Sequence, residues 1–296
     1  MKKAAVIAII IAIMTLAIIV FARVNVHPQE NSVVTAAPAE TPAATPSPEP
    51  TVRPSEVYTV TYKTTNRETG ETTEKEMAVY LPEAYDANGQ YNAVFLMHVA
   101  GSDENFWPGL GIQPIMDELI ASGAVEPMLV FMPDGYVSDA VRGNRNDPRI
   151  YTQFAAEFRE DLLPFVKQNY AVCEGREHLG FYGASFGAYL TVNSILRPNL
   201  DLVSNFGITG GGTIDLNELE QGWTDSGNAD LDIAMFYIGE GDRDDRGPVE
   251  LSYMTLRDHC DKFNEDNLKF TLMEGVGHDE TEWIEGLKEA LQLFAS

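Results

Sequence analysis

Short apolar runs alternate with longer amphipathic stretches in the chain from Val57 to the C-terminus. Two runs, 57–63 and 75–81, alternate in polarity around a short polar segment, which predicts an antiparallel hairpin. The other runs are continuously apolar and predict buried strands at 93–98, 128–132, 178–182, 202–208, 233–238 and 270–273. The amphipathic stretches between them predict helices at 112–122, 151–168, 188–196, 249–264 and 281–294.

This alternation of strand and helix predicts one α/β domain over residues 57–296. We expect a mainly parallel sheet of about eight strands with helices on both faces, because most of the strand candidates are apolar throughout. Ligands of such sheets bind at the carboxyl ends of the strands. The loops that follow the strands are therefore the place to search for functional residues.

Two segments with a different pattern precede the domain. In residues 1–26, Lys2 and Lys3 are followed by an uncharged apolar run over 4–22, which predicts a signal peptide or an N-terminal membrane anchor. Residues 27–56 are rich in Pro, Thr and Ala and predict a disordered linker. We therefore expect an extracellular domain, secreted or tethered to the outer face of the cytoplasmic membrane, with cleavage left open.

The charge of the chain belongs to the domain. The sequence has 20 Lys and Arg against 45 Asp and Glu, a formal net charge of −25, and residues 1–56 contain equal numbers of each sign. This excess of negative charge argues against nucleic acid as a partner and limits membrane contact to the N-terminal segment. It says nothing about the oligomeric state.

A strand-to-helix turn carries the first candidate for chemistry. The predicted strand 178–182 runs into Gly183, Ala184, Ser185, Phe186 and Gly187, and a predicted helix follows. A serine with glycine two positions before and two after, placed at such a turn, is the nucleophile-elbow pattern of serine hydrolases. We therefore expect Ser185 to be a nucleophile, and the backbone N–H of the next residue, Phe186, to help bind an oxyanion.

A serine nucleophile needs a base and an orienting carboxylate, in the chain order Ser, Asp or Glu, His. His278 lies in a Gly-rich loop after the last predicted strand, whereas His259 lies inside a predicted helix, so His278 is the expected base. The carboxylate should follow the strand 233–238, where we expect Asp242, with Asp244 and Asp245 as alternatives.

The same acidic segment could suggest a calcium loop. Counting from Asp242, however, the fifth position is Arg246 and the twelfth is Tyr253, where such a loop needs an oxygen ligand and a glutamate. We therefore expect neither a metal nor a cofactor.

The loop after the strand 93–98 is expected to supply the second oxyanion donor. We assign the backbone N–H of Ala100 to this role, with Gly101 as the alternative and as a residue near the substrate. Trp107 and Tyr136 could line an aromatic acyl or sugar site, and packing in the core or at its rim is an equally good interpretation of each.

Several segments in the right order resemble the feruloyl-esterase-like family, of the esterase D or carbohydrate esterase family 1 type. They are residues 96–107, 169–172, 176–178, 183–187 and 277–279 with Trp283. The family includes feruloyl esterase modules of bacterial xylanases, acetyl-xylan esterases, S-formylglutathione hydrolases and mycolyltransferases. The resemblance implies an α/β-hydrolase fold with Ser185, Asp242 and His278 as the catalytic triad. One departure is Val99, where family members usually have Gly, and it puts the second oxyanion donor in question.

The motifs and the resemblance together lead to the expectation of an exported serine esterase. It would hydrolyse feruloyl or acetyl esters on xylan, an ester-bearing polysaccharide of plant cell walls, through an acyl-enzyme. The alternatives are an acyltransferase of the mycolyltransferase type and a non-catalytic carbohydrate-binding module on a hydrolase scaffold. We also expect the acidic residues that flank the site to raise the pKa of His278 and to disfavour anionic substrates.

Overall fold

The computed structural model describes residues 52–136, 142, 146–246 and 249–294. These residues belong to the compact unit Pro50–Ser296. The signal or anchor expected at 1–26 and nearly all of the linker expected at 27–56 lie outside the described residues. In the described part of the chain, no helix is long and apolar enough to cross a membrane.

The strands form one sheet in the order β1-β2-β4-β3-β5-β6-β7-β8. Strand β2 is antiparallel to both of its neighbours, and the pairs from β4 to β8 are all parallel. The predicted hairpin and the mainly parallel sheet are therefore confirmed. The strands are β1 Glu56–Thr65, β2 Thr72–Leu81, β3 Asn92–Met97, β4 Met128–Pro133, β5 Leu179–Ala184, β6 Asn205–Thr209, β7 Met235–Gly241 and β8 Leu268–Met273.

The helices pack on both faces of this sheet. They are α1 Phe106–Gly109, α2 Ile112–Ala121, α3 Pro148–Glu157, α4 Leu163–Asn169, α5 Phe186–Leu190, α6 Leu216–Asp225, α7 Val249–His259 and α8 Glu280–Phe294. The π-helical turn Phe158–Leu162 joins α3 to α4, and a second one, Thr191–Leu196, extends α5. All five predicted helices are present, and α1 and α6 are additional.

Helix α6 escaped prediction because its sequence is mostly polar. Only Leu219 and Trp223, four positions apart on one face, are buried. The carboxylate of Asp215 caps the helix by accepting hydrogen bonds from the backbone N–H groups of Asn217 and Glu218. Two buried residues and a cap are therefore enough to form a helix that lacks a continuous apolar stripe.

The two faces of the sheet bury separate sets of side chains, because successive residues of a strand point to opposite faces. On one face Phe95 lies between Phe131 and Phe181, with ring centroids 5.4 and 6.1 Å away. The opposite face buries Tyr182 and Tyr237 in a second cluster with residues of α2 and α8. Both clusters are buried, which explains the continuous apolar runs of the central strands.

The direction of winding reverses between β3 and β5. Within the sheet, β4 lies next to β3 on one side, and β5, which follows β4 in the chain, lies next to β3 on its other side. Loops that leave neighbouring strands in opposite directions open a crevice at the carboxyl ends, which is where ligands bind in open α/β sheets. The loop expected to bind the oxyanion follows β3, and the serine turn follows β5.

A buried tyrosine fixes helix α8 on the sheet. The hydroxyl of Tyr182 in β5 donates a hydrogen bond to the carbonyl of Trp283 (2.9 Å) and lies 2.6 Å from Oγ1 of Thr209 in β6. Desolvation raises the pKa of Tyr182 well above its ordinary value, so its hydroxyl stays protonated. This bond sets the position of the first turn of α8, which follows the loop carrying His278.

We predict that Tyr182→Phe destabilises the domain by about 1–3 kcal/mol, because it leaves two buried polar groups without their partner. Thermal unfolding measures this change. Tyr58→Phe is the matched control, since the Tyr58 hydroxyl is half-buried and makes one long hydrogen bond of 3.4 Å to Tyr170. Equal unfolding temperatures for the two variants would contradict the role given to Tyr182.

Candidate active site

Ser185 sits in a strained turn between β5 and α5. Its φ is 54°, in the left-handed region that residues other than glycine seldom adopt. A Cβ at Gly183 would lie 2.1 Å from the carbonyl oxygen of Gly187, and one at Gly187 would lie 2.6 Å from that of Met97. The two glycines are therefore required by close backbone contacts. The strand–turn–helix arrangement inferred from the Gly spacing is present, and it leaves the Ser185 hydroxyl only partly buried.

His278, in the loop between β8 and α8, bridges Ser185 and an aspartate. Its Nε2 lies 2.9 Å from Oγ of Ser185, and its Nδ1 lies 2.8 Å from Oδ2 of Asp244. A carboxylate only accepts hydrogen bonds, so the proton is on Nδ1 and the lone pair of Nε2 faces the serine hydroxyl. This is the geometry of a serine nucleophile, a general base and an orienting acid.

The prediction of Asp242 as the acid is wrong. Asp242 is exposed, and its carboxylate accepts a hydrogen bond from the N–H of Gly275 (2.7 Å). The reason is that β7 continues to Gly241, so Asp242 belongs to the first turn after the strand. The backbone N–H groups of this turn donate hydrogen bonds to carbonyls at the end of β8 and in the loop that follows it. The alternative Asp244 reaches His278 with a fully shielded side chain, whereas the other alternative, Asp245, is exposed.

A second carboxylate at the base was not anticipated from the sequence. Glu282, in the first turn of α8, is fully buried, and its Oε2 lies 3.5 Å from Nδ1 of His278. Its Oε1 accepts a hydrogen bond from the N–H of Gly241 (2.8 Å). The available signal was the spacing of four residues between His278, two positions before α8, and Glu282 in its first turn.

The two carboxylates change the proton affinity of the base. The carboxylates of Glu282 and Asp244 beside Nδ1 raise the pKa of His278 above its ordinary value, against the opposing effect of burial. The pKa of the Glu282 carboxyl is raised above its ordinary value by burial and by the charge of Asp244, although the imidazole and the N–H of Gly241 act in the opposite direction. The expected rise in the pKa of His278 is therefore found, and its largest cause is Glu282.

Asp244, His278 and Glu282 are also the described residues whose ligand atoms cluster closely enough to hold a metal ion, within 4.8 Å of one another. Both nitrogens of His278 are already engaged, one with Asp244 and one with Ser185. The cluster is therefore part of the serine site.

The loop after β3 is held by His98 and Tyr136. A carbonyl oxygen only accepts hydrogen bonds, so Nδ1 of His98 carries a proton and donates it to the carbonyl of Val99 (2.8 Å). Nε2 of His98 lies 2.9 Å from the backbone nitrogen of Gly135 and 3.1 Å from Oδ1 of Asp134. The N–H of Gly101 donates to the hydroxyl of Tyr136 (3.0 Å). Because the Gly101 N–H is engaged, the exposed Ala100 remains the better of the two predicted oxyanion donors.

The N–H of Phe186 is the other predicted donor. It belongs to the first residue of α5, and the first N–H groups of a helix have no acceptor within the helix. These groups also carry the positive end of the helix dipole, which favours a negative oxygen. The assignment of Phe186 and Ala100 to an oxyanion hole stays a prediction.

The two aromatic residues considered for substrate contact are buried instead. Trp107 is 1% exposed and packs against Tyr182, with ring centroids 5.8 Å apart. Tyr136 is 2% exposed and stacks on Phe186 at 4.7 Å. Their assignment as substrate-binding residues is therefore wrong, and the packing interpretation holds. Tyr136 instead acts on the site indirectly, since it contacts both sides of the expected oxyanion hole.

Arg142 also holds the loop after β3, and the sequence analysis did not predict this role. Its guanidinium donates to the carbonyl of Ser102 and to the carboxylate of Asp134, both at 2.7 Å, and lies 5.0 Å from the ring centroid of Tyr136. No sequence signal distinguishes it, because it lies far along the chain from the loop that it holds.

We predict that Asp244→Asn lowers kcat/KM for an ester by at least about tenfold, because an amide does not hold the same imidazole tautomer. Asp242→Asn is the matched control and should leave kcat/KM within about twofold, since surface substitutions of this kind have small effects. Steady-state kinetics on both variants measure this difference. A greater loss for Asp242→Asn would contradict the assignment of Asp244.

We predict that Tyr136→Phe lowers kcat by roughly three- to tenfold with little change in KM, because one hydrogen bond of about 1 kcal/mol that orders the oxyanion loop is lost. Tyr85→Phe is the control, since the Tyr85 hydroxyl also accepts a backbone N–H, that of Ala171 at 3.0 Å, away from the site. A fall in kcat as large for Tyr85→Phe would show that the effect is one of general stability.

Parts of this chain are similar in sequence to known proteins. Residues 70–205 match the family model described as "Putative esterase". Endo-1,4-beta-xylanase Y of Acetivibrio thermocellus is 33% identical over 150 residues, which are 47% of this chain and 13% of that protein. An endo-1,4-beta-xylanase/feruloyl esterase of Xylanibacter ruminicola is 25% identical over 225 residues, 72% of this chain and 28% of that protein. The chain thus spans less than a third of the length of these two relatives.

Solved structures share the fold over most of the chain. A variant of the feruloyl esterase module from Clostridium thermocellum, complexed with sinapinate, has a TM-score of 0.67 at 23% identity and covers 90% of this chain and 96% of its own. A ferulic acid esterase from Anaeromyces mucronatus, in complex with ferulic acid, has a TM-score of 0.62 at 21% identity and covers 83% and 93%. These comparisons show that the chain has the α/β-hydrolase fold of the compared esterases and that its sequence resembles an esterase family model and two xylanases, one of them also named as a feruloyl esterase.

Proposed function

We propose that the domain is an exported serine esterase that hydrolyses feruloyl or acetyl esters of xylan through an acyl-enzyme. The observation that carries the proposal is the continuous hydrogen-bonded path from Ser185 through His278 to Asp244, with distances of 2.9 and 2.8 Å. It lies at the carboxyl ends of parallel strands, beside the N-terminus of α5, where a bound ester carbonyl would meet backbone donors.

The first half of the reaction forms the acyl-enzyme. Oγ of Ser185 attacks the ester carbonyl carbon while its proton passes to Nε2 of His278. Asp244 stabilises the imidazolium, and the N–H groups of Phe186 and Ala100 bind the oxygen that becomes negative. The tetrahedral intermediate then collapses, the bond to the sugar oxygen breaks, and that oxygen takes the proton from His278.

The second half of the reaction releases the acid. A water molecule gives a proton to Nε2 of His278 as its oxygen attacks the acyl carbon. Collapse of this second intermediate breaks the bond to Oγ, which recovers the proton, and the carboxylic acid leaves. Both halves need a neutral imidazole with its proton on Nδ1, which is the tautomer that Asp244 selects.

The choice of substrate rests on the relatives and on the charge. The structures compared above hold ferulic acid and sinapinate, and both sequence relatives are named as xylanases. A neutral ester on a polysaccharide suits a domain with a strong negative charge, which would repel anionic substrates. Residues 1–26 and 27–56 would export the domain and hold it away from the membrane or release it.

The two alternatives differ from hydrolysis in ways that can be measured. A non-catalytic module has no use for a nucleophile, a base and an acid in hydrogen-bonding contact, so the geometry argues against it. An acyltransferase would form the same acyl-enzyme and pass the acyl group to a sugar. Product analysis with and without a sugar acceptor separates transfer from hydrolysis.

We predict release of free acid from methyl ferulate, acetylated xylan or a short nitrophenyl ester, and at least about a thousandfold lower kcat for Ser185→Ala. A fluorophosphonate probe should label the native chain and fail to label this variant. Ser226→Ala is the control, because Ser226 lies at the end of α6 and its hydroxyl donates to the helix carbonyls of Gly222 and Trp223. Full activity of Ser185→Ala, or no hydrolysis of any of these esters by the native chain, would overturn the proposal.

A further inference from the structure

Two carboxylates, not one, face Nδ1 of His278. Asp244 approaches from the loop after β7 with Oδ2 at 2.8 Å, and Glu282 approaches from α8 with Oε2 at 3.5 Å. Nδ1 carries a single proton, so Asp244 holds the short hydrogen bond and Glu282 lies beside it. A triad requires only one such carboxylate.

The environment of Glu282 is one in which a charge is costly. The residue is fully buried, and Oε2 has no hydrogen-bond partner among the described residues, although Oε1 accepts the N–H of Gly241. Leaving a buried carboxylate oxygen unpaired is unfavourable. A glutamine could accept the N–H of Gly241 equally well, so the fold alone does not account for the second, unpaired oxygen.

The backbone at Gly210 packs closely against both Glu282 and His278. A Cβ at Gly210, which has a φ of +64°, would lie 2.4 Å from Oε2 of Glu282 and 3.0 Å from Nδ1 of His278. The chain after β6 therefore passes directly against both side chains without a side chain of its own. Oε2 of Glu282 lies between this backbone and the imidazole. A positive charge on the imidazole would compensate the negative charge of the buried carboxylate.

We propose that Glu282 is a positioning residue for the general base, a second carboxylate that stabilises the imidazolium of His278 during acyl transfer. When the carboxylate of Asp244 is removed by substitution, Glu282 can accept the hydrogen bond from Nδ1–H in its place. This inference deepens the proposed esterase function and rests on it. Glu282 touches neither the ester nor the reacting atoms, so it acts entirely through His278.

The sign of its effect follows from the groups around the imidazole. Among the described residues, Asp244 and Glu282 are the charged groups that act on the imidazole. The phenols of Tyr182 in β5 and Tyr237 in β7, near Glu282, remain neutral. Both carboxylates raise the pKa of His278. Because the base acts in its neutral form, the acidic limb of kcat/KM lies at higher pH with Glu282 than without it.

The first test is the pH profile of Glu282→Gln, which removes the charge and keeps an acceptor for Gly241. We expect the acidic limb of kcat/KM to move at least about half a pH unit lower and kcat to fall roughly three- to thirtyfold, with KM nearly unchanged. Glu289→Gln is the matched control, since Glu289 lies on the same helix and hydrogen-bonds to Tyr237 and Thr271. Its profile should coincide with that of the native chain.

The second test compares the loss caused by Asp244→Asn in two backgrounds. With Glu282 present, its carboxylate can accept the hydrogen bond from Nδ1–H. The loss of kcat/KM caused by Asp244→Asn should therefore be at least about tenfold smaller than in the Glu282→Gln background. Equal losses in both backgrounds, together with an unshifted acidic limb for Glu282→Gln, would overturn the inference and leave Glu282 as a structural partner of Gly241 only.

An NMR titration of the His278 imidazole separates this inference from the proposed function, because it needs no substrate. The native pKa should exceed the unperturbed value of about 6.5 and fall in Glu282→Gln but not in Glu289→Gln. If the glutamine variant does not fold, Glu282→Asp, which retracts the charge, should lower the pKa by a smaller amount. A native pKa of 6.5 or below contradicts the inference, whereas failure of the chain to hydrolyse esters contradicts only the proposed function.

Discussion

The hydrogen bond between His278 and Ser185 is the contact on which the rest of the site depends. The two residues are 93 positions apart in the chain, so only the sheet brings them together. β5 delivers the serine, β7 delivers Asp244, and the loop after β8 delivers the histidine. Parallel pairing places all three strand ends at one edge, and the reversal of winding between β3 and β5 opens the crevice there.

Local strain and burial are concentrated at the same edge. The φ of 54° at Ser185 holds its hydroxyl toward His278, and the turn is kept in place by backbone contacts that exclude any side chain at Gly183 and Gly187. Two shielded carboxylates lie behind the imidazole. These features are costly for folding, but they favour a single tautomer of the base and a positive charge on it, both of which acyl transfer needs.

The sequence was sufficient to predict the strands, the positions of five helices, the serine turn and the contact between His278 and Ser185, because Gly spacing and apolar runs report local structure directly. It was insufficient where the role of a residue depends on how distant parts of the chain pack together. Whether Asp242 or Asp244 reaches His278 depends on where β7 ends, which the sequence does not report. Large aromatic residues such as Trp107 and Tyr136 occur both in protein cores and in binding sites, and only the structure shows that these two are buried. Glu282 was overlooked because its burial follows from the docking of α8, which no local pattern reports.

The most direct measurement of the central claim is the intact mass of the protein after rapid acid quenching during turnover of an activated ester. The mechanism derived from the Ser185–His278 geometry predicts a transient increase equal to the mass of the acyl group, carried by the peptide that contains Ser185 and missing from Ser185→Ala. An acyl group on another residue, or hydrolysis at the native rate by Ser185→Ala, would contradict it.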